Sequence, residues 1–374
     1  MKFSVSSTKL LVQLQTISRV LASKNTLAIL SDFYFELNDN QLTIKASDSE
    51  TTMFTSIEVF DVEGQGKFCV GARLLTDTLK EFAEQPLLFT IDDENLSVII
   101  NSEYGEYKFI GENANEYPIL NPLEEDSHTF EIMSEALLHG INKTFFCTAD
   151  DDIRPVMNGI DFDLKEDSIT FVATDAHKLV RLVNTSVKSE VPCSFILPKK
   201  PANLLRNILP KEDEQVQVTF DSKNIIFKST NYTLICRRVE GRYPNYNAVI
   251  PQNNSHIIFA DRLSLLNALK RVHVFSNQGS NLIKLEIREN MIIASSKDIN
   301  FSTSAEERIP CQYDGEPLII GFKSLFLIDI LANIESNDVK LEIEDPSRAG
   351  LILPAENNDS EDLLMLLMPM LINE

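Results

Sequence analysis

Two clusters in this sequence carry the residue types from which catalytic or metal centres are built. Asp175 and His177 stand two apart after the alternating stretch Ile169-Thr170-Phe171. Residues i and i+2 of a strand share a face, so the carboxylate is placed to orient the imidazole as a general base. No serine or cysteine nucleophile motif such as G-x-S-x-G accompanies the pair, which therefore reads as a histidine at a pocket edge. Asp150-Asp151-Asp152 offers three carboxylates to a divalent cation, but without a defined ligand spacing, and reads as a solvated loop. The five cysteines (Cys69, Cys147, Cys193, Cys236, Cys311) lie far apart with no C-x-x-C pair, which disfavours a disulfide framework and a structural zinc site and fits a reducing compartment. Phosphate-binding loops, H-E-x-x-H and a dinucleotide-binding glycine pattern are absent from the sequence. The expectation is a protein with no catalytic residues, no metal and no cofactor.

The elements that hold these residues recur three times. Phe3-Ser4-Val5, Phe130-Glu131-Ile132 and Ile258-Phe259-Ala260 each precede a helical pattern with an apolar face: Leu10, Leu11, Leu14, Ile17 and Leu21; Leu137, Leu138 and Ile141; Leu265, Leu266 and Leu269. Ala46-Ser47-Asp48, Ala173-Thr174-Asp175 and Ser296-Lys297-Asp298 follow alternating strands, the aspartates being 127 and 123 residues apart. Cys69-Val70-Gly71, Ile196-Leu197-Pro198 and Ile319-Ile320-Gly321 keep the same two spacings and open second helices. Each third thus predicts two helices and up to eight short strands. The fold class is α+β, with three tandem domains at 1–126, 127–253 and 254–374. The linkers are expected in Asn121–Asp126 and Pro251–Ser255.

The chain holds 34 Lys and Arg against 56 Asp and Glu, a net charge of −22, with 43% hydrophobic residues to build a core. Spread evenly, that charge would repel nucleic acid and anionic membranes. It is not spread evenly. The six helical windows hold Lys9, Arg19, Arg73, Lys80, Lys143, Lys199, Lys200, Arg206, Arg262, Lys270, Arg271 and Lys323 against Asp77, Glu81, Glu135, Asp261 and Asp329. The helices are net positive and the remainder strongly negative, as a basic helical surface for nucleic acid requires. Lys and Arg also favour solvated helix faces for their own sake, so the distribution alone leaves both readings open. The first residues carry no apolar leader pattern, and no stretch of 18 apolar residues occurs, so a cytoplasmic protein without membrane contact is expected.

Ala173-Thr174-Asp175-Ala176-His177-Lys178-Leu179, Val239-Glu240-Gly241-Arg242-Tyr243-Pro244-Asn245-Tyr246 and Met368-Pro369-Met370, set within the threefold repeat, resemble the bacterial DNA polymerase III beta subunit family of replicative sliding clamps. The likeness covers the whole chain. It implies three clamp domains per subunit, each with two helices on antiparallel sheets, forming half of a six-domain ring closed by head-to-tail dimerisation. Such a ring has helices lining its hole and encircles double-stranded DNA. A diffuse positive lining tracks phosphates without gripping bases, which permits sliding. The implied partners are the replicative polymerase catalytic subunit, the clamp-loader complex and other replication and repair proteins bearing a clamp-binding motif. The competing reading is a peptide-binding repeat scaffold that does not touch DNA.

By resemblance, DNA contact falls on Lys24, Arg73, Arg154, Lys199, Lys200 and Arg206; Lys24 replaces an arginine common in the family, and Pro155-Val156 replace two tyrosines found in some relatives. A pocket for hydrophobic partner peptides falls on Met157, Thr174, Ala176, His177, Lys178, Leu179, Pro244, Val249, Leu366, Leu367, Met368, Pro369 and Met370. Methionines and leucines there suit several partners because they repack readily. Ala176 stands for the family's glycine and Lys178 for its arginine. Leu363 to Leu371 reads as the last strand, carrying one pocket wall. The implied dimer seam joins Phe82, Tyr107 and Phe109 to Val274 and Phe275, with Tyr107 and Phe109 sharing one strand face.

Overall fold

A computed structural model describes residues 1–374 apart from 93, 119–122, 124–125, 152, 190 and 373–374. Most of the expected first linker, the third residue of the aspartate cluster and the last two residues of the tail therefore lie outside the described residues.

The first third contains β1 (Lys2–Ser6), α1 (Ser7–Ile17), β2 (Asp32–Asn38), β3 (Gln41–Ser47), β4 (Thr51–Glu58), β5 (Phe60–Glu63), β6 (Gly66–Gly71), α2 (Ala72–Lys80), β7 (Pro86–Asp92), β8 (Ser97–Asn101) and β9 (Glu106–Ile110). The second contains β10 (His128–Met133), α3 (Ser134–Phe145), β11 (Gly159–Leu164), β12 (Ile169–Thr174), β13 (Lys178–Asn184), β14 (Cys193–Pro198), α4 (Lys199–Ile208), β15 (Gln215–Phe220), β16 (Asn224–Lys228) and β17 (Tyr232–Arg237). The last repeats that order as β18 (His256–Asp261), α5 (Arg262–His273), β19 (Leu282–Arg288), β20 (Met291–Asp298), β21 (Thr303–Pro310), β22 (Leu318–Lys323), α6 (Ser324–Ala332), β23 (Asp338–Ile343), β24 (Gly350–Pro354) and β25 (Glu361–Leu367). Among the described residues, no helix is long and apolar enough to cross a membrane.

The helices form where the sequence supplies an apolar stripe and a cap. Ser6 accepts a hydrogen bond from the Lys9 N–H at the start of α1, and Asp261 does the same from Ser264 for α5, each satisfying one of the unpaired amides of a helix N-terminus. Leu10, Leu14 and Ile17 of α1 are fully buried, as are Leu265 and Leu269 of α5, each contributing about 2 kcal/mol by leaving water. Lys9, Arg73 and Lys200 point the other way.

Compactness divides the chain in two, although its sequence repeats three times. One unit is Met1–Leu138 with Lys200–Arg238, and the other is His139–Lys199 with Val239–Glu374. The first holds a five-stranded sheet, β5-β1-β7-β8-β9, and an eight-stranded sheet, β10-β15-β16-β17-β4-β3-β2-β6. The second holds an eight-stranded sheet, β14-β11-β12-β13-β25-β24-β23-β18, and a four-stranded one, β21-β20-β19-β22. The middle third is shared because both its sheets continue into a neighbour's: β17 pairs antiparallel with β4 (Leu234 opposite Met53), and β25 pairs antiparallel with β13 (Met365 opposite Val180).

The recurrent aspartates have a common structural reason. Asp48 Oδ1 accepts the N–H groups of Glu50 and Thr51, Asp175 Oδ1 those of His177 and Lys178, and Asp298 Oδ1 those of Asn300 and Phe301. Each closes the turn that leads into β4, β13 or β21 by offering its carboxylate to the turn amides. Asp175 and His177 thus sit in a turn, and the shared strand face expected of them does not exist. The last strand also differs from expectation, stopping at Leu367. Pro369 has no N–H to continue the ladder, and Met370 instead donates its N–H to the Gly321 carbonyl at 2.8 Å.

Candidate functional site

The apolar site lies in the second compact unit. Leu179 and Leu366 face each other across β13 and β25 and join Val172, Tyr243, Tyr246, Ile250, Leu351 and Leu364 in one buried cluster. Tyr246 Oη donates to Asp163 at 3.1 Å, and its phenol is pushed up to about 12 by burial and by that carboxylate. Met157 and Pro244 are half-buried, while Val249 and Met368 are exposed, at 55% and 42%. This is an apolar floor with an adaptable rim. Leu367 does not belong to it, because alternation along β25 turns it to the opposite face, where it is fully buried. Met370 is half-buried and tied to β22 through its backbone.

Lys178 forms the polar edge. Its Nζ lies 2.7 Å from Asp175 and 4.4 Å from the centre of the Phe326 ring, and its side chain is nearly inaccessible. Burial pushes the Asp175 carboxyl up, but the hydrogen bonds from the Lys178 ammonium and from the Lys178 and His177 amides outweigh it and hold the group below its usual range. Asp329 is raised by burial, with Lys178 opposing. The exposed His177 ring stacks 6.1 Å from Phe326, and its link to Asp175 is through the backbone N–H. A carboxylate so engaged does not orient the imidazole, which corrects the base-and-orienter geometry expected from the i, i+2 spacing. Thr174 Oγ1 donates to the Lys178 carbonyl, fixing the same turn.

Beside this edge lies a cavity of about 410 Å³ whose lining includes Asp150, Asp151, Arg154, His177, Lys178 and Lys199. Arg154 pairs with Asp151 at 2.9 Å and Lys199 with Asp150 at 2.6 Å. The aspartate cluster is thus an internal partner of basic residues. Among the described residues no group of three His, Cys, Asp or Glu side chains could hold a metal ion.

In the first unit Lys200 pairs with Asp48 and donates to the Val20 carbonyl at 2.6 Å. Lys199 and Lys200 open α4, where the helix dipole disfavours a cation by about 0.3–1 kcal/mol each, so neighbouring carboxylates are needed there. Arg73 is almost fully exposed, with Asp77 at 3.9 Å; Lys24 is exposed and Arg206 half-buried. Sequence reasoning found the cations and missed their carboxylates, although Asp48 and Asp150-Asp151 were visible as motifs. It also missed Phe326, one helical turn into a segment that reads as ordinary core.

At the chain's outer edges, Phe82 meets Tyr107 edge-on, ring centres 5.1 Å apart, and Tyr107 is 37% exposed. Phe109 is buried in its own sheet, so the patch expected from Tyr107 and Phe109 reduces to Tyr107 with Phe82. Val274 and Phe275 are exposed just after α5. The hydrogen-bond registers make β9 the counterpart of β17 and β25: Tyr107 lies opposite Ile100, as Leu234 lies opposite Phe227 and Met365 opposite Ile352. They make β21 the counterpart of β4 and β13, since Thr303 lies opposite Asp298 just as the residues after Asp48 and Asp175 turn back on β3 and β12. β17, β25, β4 and β13 are all paired with a neighbouring third, whereas β9 and β21 are sheet edges.

Three models of one protein family, DNA polymerase III beta subunit, match this chain in order: the N-terminal domain over residues 1–121, the central domain over 131–245 and the C-terminal domain over 247–370. The chain belongs to the DNA polymerase III beta subunit family. Its fold is accordingly three tandem clamp domains. A beta sliding clamp from Haemophilus influenzae is 26% identical over 98% of this chain and 99% of its own length, and one from Bacillus subtilis is 24% identical over 99% of each. The crystal structure of a DNA polymerase III beta subunit from Thermotoga maritima covers all of both chains at 25% identity, with a TM-score of 0.90. A sliding clamp from Pseudomonas aeruginosa bound to griselimycin has the same fold, with a TM-score of 0.93 at 24% identity.

Proposed function

We propose that this chain is a replicative sliding clamp: it encircles duplex DNA as a head-to-tail dimer and tethers the polymerase, without catalysing a reaction itself. Its clamp domains take the limits 1–126, 127–253 and 254–374. The observation that carries the reading is the pair of unsatisfied edges. At both internal junctions a β17-type strand adds to a β4-type strand, and only β9 and β21 of those two types lack such a partner within the described residues. Different surfaces that complete each other generate a head-to-tail assembly, closed when the rotations sum to a full turn. Carrying over the internal register puts Tyr107 of one copy opposite Ala305 of the next, Lys108 opposite Ser304 and Glu106 opposite Glu306. The family resemblance adds Phe82 on one side of this seam and Val274 and Phe275 on the other.

The basic residues Lys24, Arg73, Arg154, Lys199, Lys200 and Arg206 supply a diffuse field for phosphates, with Arg73, Arg154, Lys199 and Lys200 exchanging a carboxylate for DNA. The apolar floor of Leu179 and Leu366, with Met157, Pro244, Val249, Met368 and Met370 around it, receives hydrophobic motifs of the polymerase catalytic subunit, the clamp loader and other replication and repair proteins. The bacterial cytoplasm is the proposed place of this work.

Retention on DNA after loading tests the reading. A closed ring stays on nicked circles through gel filtration and is lost when the circle is linearised; equal loss from both forms would leave a peptide-binding scaffold that does not encircle DNA. For the pocket, Met370→Asp puts an unpaired charge beside β22 and should weaken a labelled hydrophobic peptide by at least ~2 kcal/mol while the dimer persists. Unchanged anisotropy titrations in a dimeric variant would move the peptide site elsewhere.

A further inference from the structure

We propose that the turn between β20 and β21 is a hydrophobic clasp, with Ile299 and Phe301 closing over Ile110 of the next copy of this chain. The inference rests on the head-to-tail seam and adds to it a contact that the two internal junctions lack. Each junction carries, besides its strand ladder, one bond from the turn. The Arg237 N–H donates to the Glu50 carbonyl and the Met368 N–H to the His177 carbonyl, both at 2.9 Å. By register, Arg237 and Met368 correspond to Ile110, the last residue of β9, and Glu50 and His177 correspond to Ser302, the last residue before β21. The equivalent bond at the seam therefore runs from Ile110 N–H to the Ser302 carbonyl of the neighbouring copy.

The third turn is not a copy of the other two. Asp48 and Asp175 are followed by their returning strands at Thr51 and Lys178, whereas Asp298 is followed by Thr303, two residues later. The longer turn holds Ile299, 79% exposed, and Phe301, 75% exposed, while Ile110 is 85% exposed. Three large apolar side chains thus stand in water at the positions that the register brings together. The turn is also ordered before any partner arrives. Asp298 accepts the Asn300 and Phe301 amides, and its other oxygen accepts from Asn277 Nδ2 at 3.2 Å. Asn277 lies two residues beyond Phe275, so the clasp and the Val274-Phe275 side of the seam are tied together, continuous with the interface they extend. A prepaid turn loses little conformational freedom on docking.

A double-mutant cycle on the full-length protein, read by sedimentation equilibrium, tests the clasp. Ile299→Ser with Phe301→Ser on one side, and Ile110→Ser on the other, should each raise the dimer dissociation constant at least tenfold. Combined, they should raise it at least fivefold less than the product of the separate effects, because the same contact is lost twice. Dissociation constants within twofold of wild type, or effects that multiply fully, would overturn the clasp while the dimer itself stands. A monomeric wild-type protein would overturn the seam, and the clasp with it. Loss of peptide binding with an unchanged dimer would reassign Ile299 and Phe301 to partner recognition and reject the clasp.

Discussion

Ala176 occupies a left-handed backbone conformation, φ 72°, in the turn that Asp175 closes. A Cβ there is strained, and glycine adopts the conformation freely. Ala176→Gly should stabilise the turn by about 0.5–1 kcal/mol, less the entropy that glycine adds to the unfolded chain; a raised urea midpoint checks it. Asp32, at the start of β2, is pushed up to about 6 by burial and then by Glu112. Its folded value exceeds its ordinary 3.8, so the native protein binds a proton that the unfolded chain releases between those two pH values. Stability therefore falls as pH rises through this window and stays reduced above it. Asp32→Asn should remove the slope and raise stability at pH 7.5 on the order of 1 kcal/mol, after discounting for solvent screening. Urea unfolding of both proteins at pH 4 and pH 7.5 measures the difference.

At the level of strands, the proposed seam sets Glu106 against Glu306, with Lys108 diagonal to the latter. Like charges directly opposite weaken a strand pair, so Glu106→Lys should tighten the dimer by ~0.5–1 kcal/mol, seen as a lower dissociation constant in sedimentation. A weaker dimer would mean the register is shifted. The threefold order of strands and helices was legible because apolar periodicity is local, and the recurring aspartates marked its register before their turn-closing role was known. The overlong final strand came from reading apolar content past Pro369, whose missing N–H ends the ladder. Asp175 and His177 do not share a face for a similar reason, since alternation ends with the strand at Thr174. Phe109 looked like a surface partner of Tyr107 because a strand's pattern tells which residues share a face, not which of them another element has covered. Pairing of β17 with β4 and of β25 with β13 joins residues more than a hundred positions apart, and no local pattern encodes it.

For the molecule as a whole, the sequence divides in three and compactness in two because strand pairing crosses the repeat boundaries. The net charge of −22 is likewise misleading until its placement is known. Basic residues expected to face DNA already have carboxylates beside them: Asp150 at Lys199, Asp151 at Arg154, Asp48 at Lys200 and Asp77 at Arg73. Asp150→Asn with Asp151→Asn should lengthen retention on circular DNA severalfold at moderate salt and leave dimerisation unchanged. Shorter retention would show that these carboxylates position Lys199 and Arg154 for DNA.

Those same pairs change what a salt titration of DNA binding should report. A lysine or arginine that leaves a solvated state for phosphate liberates the small cations condensed on DNA, and the slope of affinity against salt counts such events. In the proposed contact with DNA, each paired cation first leaves a carboxylate of its own chain, which then recruits a counterion from solution as the phosphate gives one up. The two exchanges run in opposite directions, so the slope should undercount the phosphates touched, and the hold on DNA should vary less with ionic strength than the basic residues imply.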